Sequence, residues 1–222
     1  MLFLGRRKLL RRPLASPVTA QGLYRSLALP RGRSMTLTEG RVRIDGGRDA
    51  RSLAARLAWE LPDEVRVELY DDRIVIAGEP SPGHDAAVEH LAEQLAPFAE
   101  SRRWAVRRAP TVLMPQGPAY VRSDLVFVRA GSSCPWEVLI GSDLALAVEV
   151  AAAPDPSDDR GLKRVFYALA GVSCYLLFDL ALEQVTLFDI PCDGDYQQDV
   201  TVPLGKPLQL PDGPLLQTAI PD

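Results

Sequence analysis

Two acids stand where apolar strands should run uninterrupted. Asp124 opens the run SDLVFV, Glu149 breaks LALAVEVAAA, and the polar segment that follows, DDRGLKRVFYALAGV, carries Lys163. An ionised carboxylate in such surroundings is costly unless a cation or a set of donors compensates it. A hard divalent cation held by carboxylate oxygens would do so. With an ammonium group alongside, the same set could acidify a water and steady the charge that develops when a phosphodiester is cleaved. Asp159, Lys163 and Tyr167 recur every fourth residue and would share one helix face. If that face looks toward the end of the Glu149 strand, the lysine reaches the water and Tyr167 orients it or packs.

Each of these residues also has a plainer role. Asp124 alone could cap the start of its strand by accepting a backbone N–H, and Lys163 with Asp159 could be a solvated pair worth a few tenths of a kcal/mol. Glu149 resists such a reading, because its neighbours are apolar and a partner would be required in any case. Glu68 lies in an alternating strand, VRVELY, where pattern alone places it on the surface. His84 could serve as a general base, but following Ser-Pro-Gly at a helix start it reads as a cap or loop contact. The run SRRWAVRR could touch a phosphate backbone and stack a base. An amphipathic strand with one wet face is the preferred reading of it.

The elements that must position these groups follow from periodicity. Leu53, Leu57 and Leu61 predict a helix over 50–61, closed by Pro62; VRVELY and RIVIAG predict a hairpin turning at Asp71 and Asp72. Val88, Leu91, Leu95 and Phe98 mark one apolar stripe of a helix over 84–100. WAVRRAPTVLM reads as a strand bent at Pro110. Strands at 124–128 and 144–151 come next, then a helix over 158–170 introduced by the turn at 154–157 and closed by Gly171. Strands at CYLLFD and QVTLFDI follow. Strand, helix, strand implies a right-handed βαβ unit and a partly parallel sheet, whose carboxyl ends are where a site belongs.

With 47% apolar and 24% charged residues, the 222-residue chain suits a globular protein with one substantial core. Residues 1–33 hold eight Arg or Lys and no acid, which leaves 17 basic and 29 acidic side chains on the rest. That acidic body excludes a general polyanion binder, so a nucleic-acid contact must be local, metal-bridged or helped by the basic arm. Residues 1–34 are accordingly expected to form a basic, disordered arm outside a single domain over 35–222. Met35 is an alternative start. Cys134, Cys174 and Cys192 form no CxxC or Cys/His cluster, which fits a reducing cytoplasm and excludes a disulfide framework. No window reaches the apolar length of a membrane span.

The order VELYDDRIVIAGEPSPGH, SDLVFV, LALAVEVAAAP, DRGLKRVFYALAGVSCYLLFD resembles the bacterial putative restriction endonuclease family within the PD-(D/E)xK nuclease superfamily, over roughly residues 50–190. The resemblance implies an α/β (α+β) fold, a restriction-endonuclease-like mixed sheet flanked by helices, and Mg2+- or Mn2+-dependent cleavage of DNA. It matches Glu68, Asp124 and Glu149 to the family's acids, all three as metal ligands, and Lys163 to the lysine on the following helix. Ser123 stands where the family usually has proline, and Ala151 where the superfamily's lysine usually falls, so the lysine must come from the helix. DNA is the implied partner, and a homodimer is compatible with it. A non-catalytic binding module with the same fold, and a hydrolase of another phosphate ester, are the rival readings.

Overall fold

The computed structural model describes residues 9–38, 40–115, 119–132, 138–152 and 158–220. Cys134 and the turn at 154–157 lie outside the described residues. The chain divides into two compact units, Met1–Pro80 and Ser81–Asp222.

The first unit opens with α1 (Ala20–Ser26), followed by strands β1 (Met35–Thr38) and β2 (Arg41–Asp45), helix α2 (Ala50–Glu60), and the hairpin β3 (Arg66–Tyr70) and β4 (Arg73–Ala77). Its strands run antiparallel in the order β1-β2-β4-β3. Asp71 takes the left-handed conformation at the hairpin turn, with φ 57°, a backbone state that Asp tolerates better than most residues. From residue 9 onward, the arm expected to lie outside the fold instead takes part in it. Thr19 caps α1 by accepting the Gly22 N–H, Leu23 is fully buried, and the Val18 N–H donates to Glu79. Gly78 permits this close approach, since a Cβ there would collide with the Val18 carbonyl. Three leucines and a valine spaced through the arm supply the apolar surface that its arginines obscure in the composition: Leu9, Val18, Leu23 and Leu27 are all buried.

The second unit begins with α3 (Pro82–Arg102), then β5 (Ala105–Arg108), β6 (Thr111–Met114), β7 (Ala119–Arg122), β8 (Leu125–Val128), β9 (Val138–Ile140) and β10 (Leu144–Ala151). A π-helical turn over Asp158–Lys163 leads into α4 (Arg164–Leu169), and β11 (Cys174–Asp179), β12 (Gln184–Cys192), β13 (Asp195–Pro203), β14 (Leu208–Gln209) and β15 (Leu215–Leu216) complete it. Six strands form one mixed sheet in the order β13-β12-β11-β10-β8-β5, and β7, β6 and β9 are consecutive neighbours in another. The parallel pairing of β10 with β11 across α4 is the βαβ unit that the sequence implies. The bend at Pro110 is larger than expected, because β5 and β6 belong to different sheets.

All eight residues of β10 are buried, as a central strand requires. Leu146, Val148 and Val150 share a core cluster with Leu91, Leu95 and Ala99 of α3, so the alternate residues Ala147 and Glu149 face the other side of the sheet. That side meets α4, whose Tyr167 is fully buried. The period of two therefore aims Glu149 at the helix that carries Lys163. Strand β13 eluded the sequence reading: its burial pattern shows one buried and one half-buried residue in nine, so no apolar alternation announces it.

Candidate active site

Glu149 is 1% exposed and Lys163 is 2% exposed. The Lys163 Nζ donates to Glu149 Oε2 at 2.8 Å, and the Tyr167 hydroxyl donates to Oε1 at 2.6 Å. Lys163 also reaches the Arg122 carbonyl at 3.3 Å. Lys163 and Tyr167 are four residues apart across the junction of the π-helical turn and α4, and both point at the same carboxylate. A π turn widens the helix locally and recurs at functional sites, where it re-aims a side chain. Burial holds the Tyr167 phenol well above its ordinary pKa, and the nearby Glu149 charge pushes in the same direction. The phenol thus stays a donor to Glu149 through the neutral range. Its ring lies 5.2 Å from that of Tyr175, which stacks on Phe188 at 5.6 Å, so the donor is fixed from behind by aromatic packing.

Asp124 precedes β8 at the same end of the sheet. Its Oδ2 accepts the Val150 N–H at 2.7 Å, one residue along from Glu149, and His84 Nε2 lies 3.1 Å from its Oδ1. The capping role that the sequence allowed for Asp124 is therefore real, and it fixes the carboxylate beside the Glu149 strand. The Ser81 hydroxyl accepts the His84 N–H at the start of α3, which sets the ring where it faces Asp124. His84 was read as a cap or loop contact; the structure makes it the partner of a buried acid. Its position after Ser-Pro-Gly, at a helix start, was the available signal. Asp179 ends β11 beside Ala151 and is 1% exposed. Arg160 binds it through Nε at 2.6 Å and through Nη2, and its Oδ1 accepts the Leu182 N–H. Nothing in the sequence marks Asp179 beyond its place at the end of the run CYLLFD.

The structure thus brings Asp124, Glu149, Lys163 and Tyr167 to one end of the second unit's sheet. The side chain of Asp159 lies outside the described residues. Glu68 belongs to the first unit, where it is 4% exposed and its Oε2 accepts the Tyr70 hydroxyl at 3.1 Å. The surface position that its alternating pattern suggested does not hold, because residues 67–70 of β3 are buried on both faces.

Among the described residues no three His, Cys, Asp or Glu side chains form a ready-made ligand set for a metal ion. Asp124 and Glu149 nevertheless suit a hard cation. Both present carboxylate oxygens, each with lone pairs beyond the bonds described, and Mg2+ commonly takes one or two protein carboxylates and completes its shell with waters and substrate phosphate. Among the described residues no helix is long and apolar enough to cross a membrane.

The crystal structure of a putative nuclease belonging to DUF820 from Anabaena variabilis ATCC 29413 is similar in fold, with a TM-score of 0.56 at 12% identity, covering 69% of this chain and 87% of that one. The shared architecture is the restriction-endonuclease-like mixed sheet with flanking helices. No curated protein matches the chain. The family model described as Uma2, putative restriction endonuclease, matches residues 53–220, which takes in β3, all but the last two residues of the second unit, and the three acids and the lysine singled out in the sequence. The chain belongs to the Uma2 putative restriction endonuclease family.

Proposed function

We propose that the protein is a metal-dependent endonuclease that hydrolyses DNA phosphodiester bonds at the cluster of Asp124, Glu149 and Lys163. The observation that carries this reading is the fully buried Glu149–Lys163 pair with Tyr167 bound to its second oxygen, set beside Asp124. A chain seeking only stability would gain as much from apolar residues of similar volume, since a buried ion pair often adds little net stability. Family membership supports nuclease chemistry for such a cluster.

Mg2+ or Mn2+, held by Asp124 and Glu149, would supply acidification of a water and neutralisation of developing phosphate charge. Glu68 is the further ligand that the family likeness assigns, and its own substitution tests it. The chain's residues do the rest. Tyr167 and Lys163 fix the Glu149 carboxylate from two sides, and the Val150 N–H anchors that of Asp124 with His84 beside it, so neither has to reorganise as charge develops. Lys163, 2.8 Å from Glu149, steadies the attacked phosphate or its nucleophilic water. Attack is direct, with no covalent enzyme intermediate.

The test is incubation of plasmid and single-stranded DNA with Mg2+ or Mn2+, monitoring folding of each variant by circular dichroism. Glu149→Gln and Asp124→Asn should each lower cleavage by about a hundredfold or more, the scale of losing one preorganised charge-stabilising group. Cleavage that survives Glu149→Gln unchanged would exclude the assignment. The same burial favours a second reading, a binding module whose acids are saturated by Lys163, Tyr167 and His84 and serve the fold alone. Calorimetry that detects no divalent-cation binding to the folded protein selects that reading.

A further inference from the structure

Side chains along β5 alternate between two faces of the sheet. Trp104 packs edge-on against Phe98 of α3, with centroids 5.3 Å apart at 76°, and Val106 joins the same core cluster. The tryptophan is therefore spent on packing and is not a base-stacking platform. Ala105 and Arg107 occupy the opposite face, where with Arg103, the C-cap of α3, and with Arg129 and Ser132 they line a cavity of about 330 Å3.

The chemistry of this cavity points one way. Three guanidinium groups line it, and no acidic side chain does among the described lining residues. Arg129 is braced by neutral acceptors, the Ser142 carbonyl at 2.9 Å and the Ser173 hydroxyl at 2.8 Å, so its charge is oriented without being neutralised by them. Ser132 Oγ is buried and meets no hydrogen-bond partner among the described residues. Converging guanidinium groups with a nearby hydroxyl form a donor set suited to phosphate oxygens.

Its position relative to the candidate active site is also set by register. Arg107 pairs with Val126 and Val126 with Ala147, and Glu149 lies two residues further along β10 on that same face. Two strand spacings of about 4.8 Å and one two-residue step of about 6.6 Å put Arg107 about 12 Å from Glu149, the rise of three to four nucleotide steps at about 3.4 Å each.

We propose that the Arg103–Arg107–Arg129 cavity is a phosphate-binding subsite that holds the backbone of the nucleic-acid strand a few nucleotides from the phosphate attacked at Glu149. This inference rests on the nuclease reading for the identity of its ligand and adds where the strand runs. It also explains how a body with 17 basic and 29 acidic side chains beyond residue 33 could hold a polyanion: the positive charge is concentrated where a strand would pass.

The test is fluorescence anisotropy of a labelled DNA duplex with the full chain in EDTA, which prevents metal-dependent cleavage, from 50 to 200 mM NaCl. Each phosphate contact contributes about 0.9 to the salt slope, so Arg103→Gln/Arg107→Gln should lower the slope by about 2. Its affinity should consequently fall about twelvefold less than the parent's across that range. The charge-keeping Arg103→Lys/Arg107→Lys protein should retain the parental slope, which separates charge from a folding defect. An unchanged slope and affinity in the Gln variant, or the absence of DNA binding by the parent, overturns the subsite. Salt-dependent binding that needs these arginines, in a protein that cleaves nothing with Mg2+ or Mn2+, keeps the subsite and rejects the nuclease reading. Cleavage that persists with an unaltered slope does the reverse.

Discussion

Separating Glu149 from Lys163 is the perturbation with the largest expected effect on stability. The two groups meet at 2.8 Å with side chains 1% and 2% exposed. At an effective dielectric of about 20 their attraction is roughly 6 kcal/mol, from which desolvation of both ions must be subtracted. Removing one partner strands the other charge in the sheet, and breaking a buried pair in this way costs about 3–5 kcal/mol. Glu149→Gln and Lys163→Met should each lower the unfolding free energy by that amount, a fall in Tm of about 6–20 °C for a protein of this size. The double variant leaves no buried charge from the pair, so its loss should be about 3 kcal/mol smaller than the sum of the two singles. Urea unfolding of the parent and the three variants at pH 7 gives the coupling directly. Singles that each lose less than about 1 kcal/mol would match an exposed pair and refute the reasoning.

Three further outcomes follow from the geometry. Tyr167 keeps its proton in the folded state well above the ordinary value of 10.0. Its contribution is therefore complete below pH 10 and is lost as pH rises beyond it, because the unfolded chain ionises first; Tyr167→Phe should make the alkaline fall in urea-unfolding stability shallower. Burial, reinforced by Asp189, pushes the Cys174 thiol up to about 12, whereas Cys192 is exposed. Iodoacetamide labelling at pH 8, read by mass spectrometry of peptides, should therefore modify Cys192 well before Cys174. Leu23→Ala should cost about 2–5 kcal/mol in urea unfolding, because the side chain is fully buried in the first unit; no measurable loss would return the first 34 residues to the status of an arm.

The hairpin at Asp71, the limits of β10 and the parallel strand pair around α4 were legible because each rests on a local rule: a turn residue, an unbroken apolar run, a crossover helix. Glu149 and Lys163 were legible for a related reason, since a carboxylate in an apolar run demands a partner and the next helix offered one. What the sequence withheld was long-range. The helix start that orients His84 was legible, but nothing near it announces Asp124, forty residues away. Glu68 was misplaced because alternation predicts a wet face only where one face of the sheet is wet, and β3 is covered on both. The arginines at 103 and 107 looked like an ordinary solvated strand face until Arg129, from the loop after β8, came to lie beside them.

The central claim, that Asp124 and Glu149 hold the metal on which hydrolysis depends, is tested most directly by soaking crystals in Mn2+ and recording anomalous scattering. A peak with carboxylate oxygens of both residues within about 2.0–2.6 Å is expected. Saturating Mn2+ that leaves this position empty, with Lys163 and Tyr167 still closed on Glu149, would contradict it.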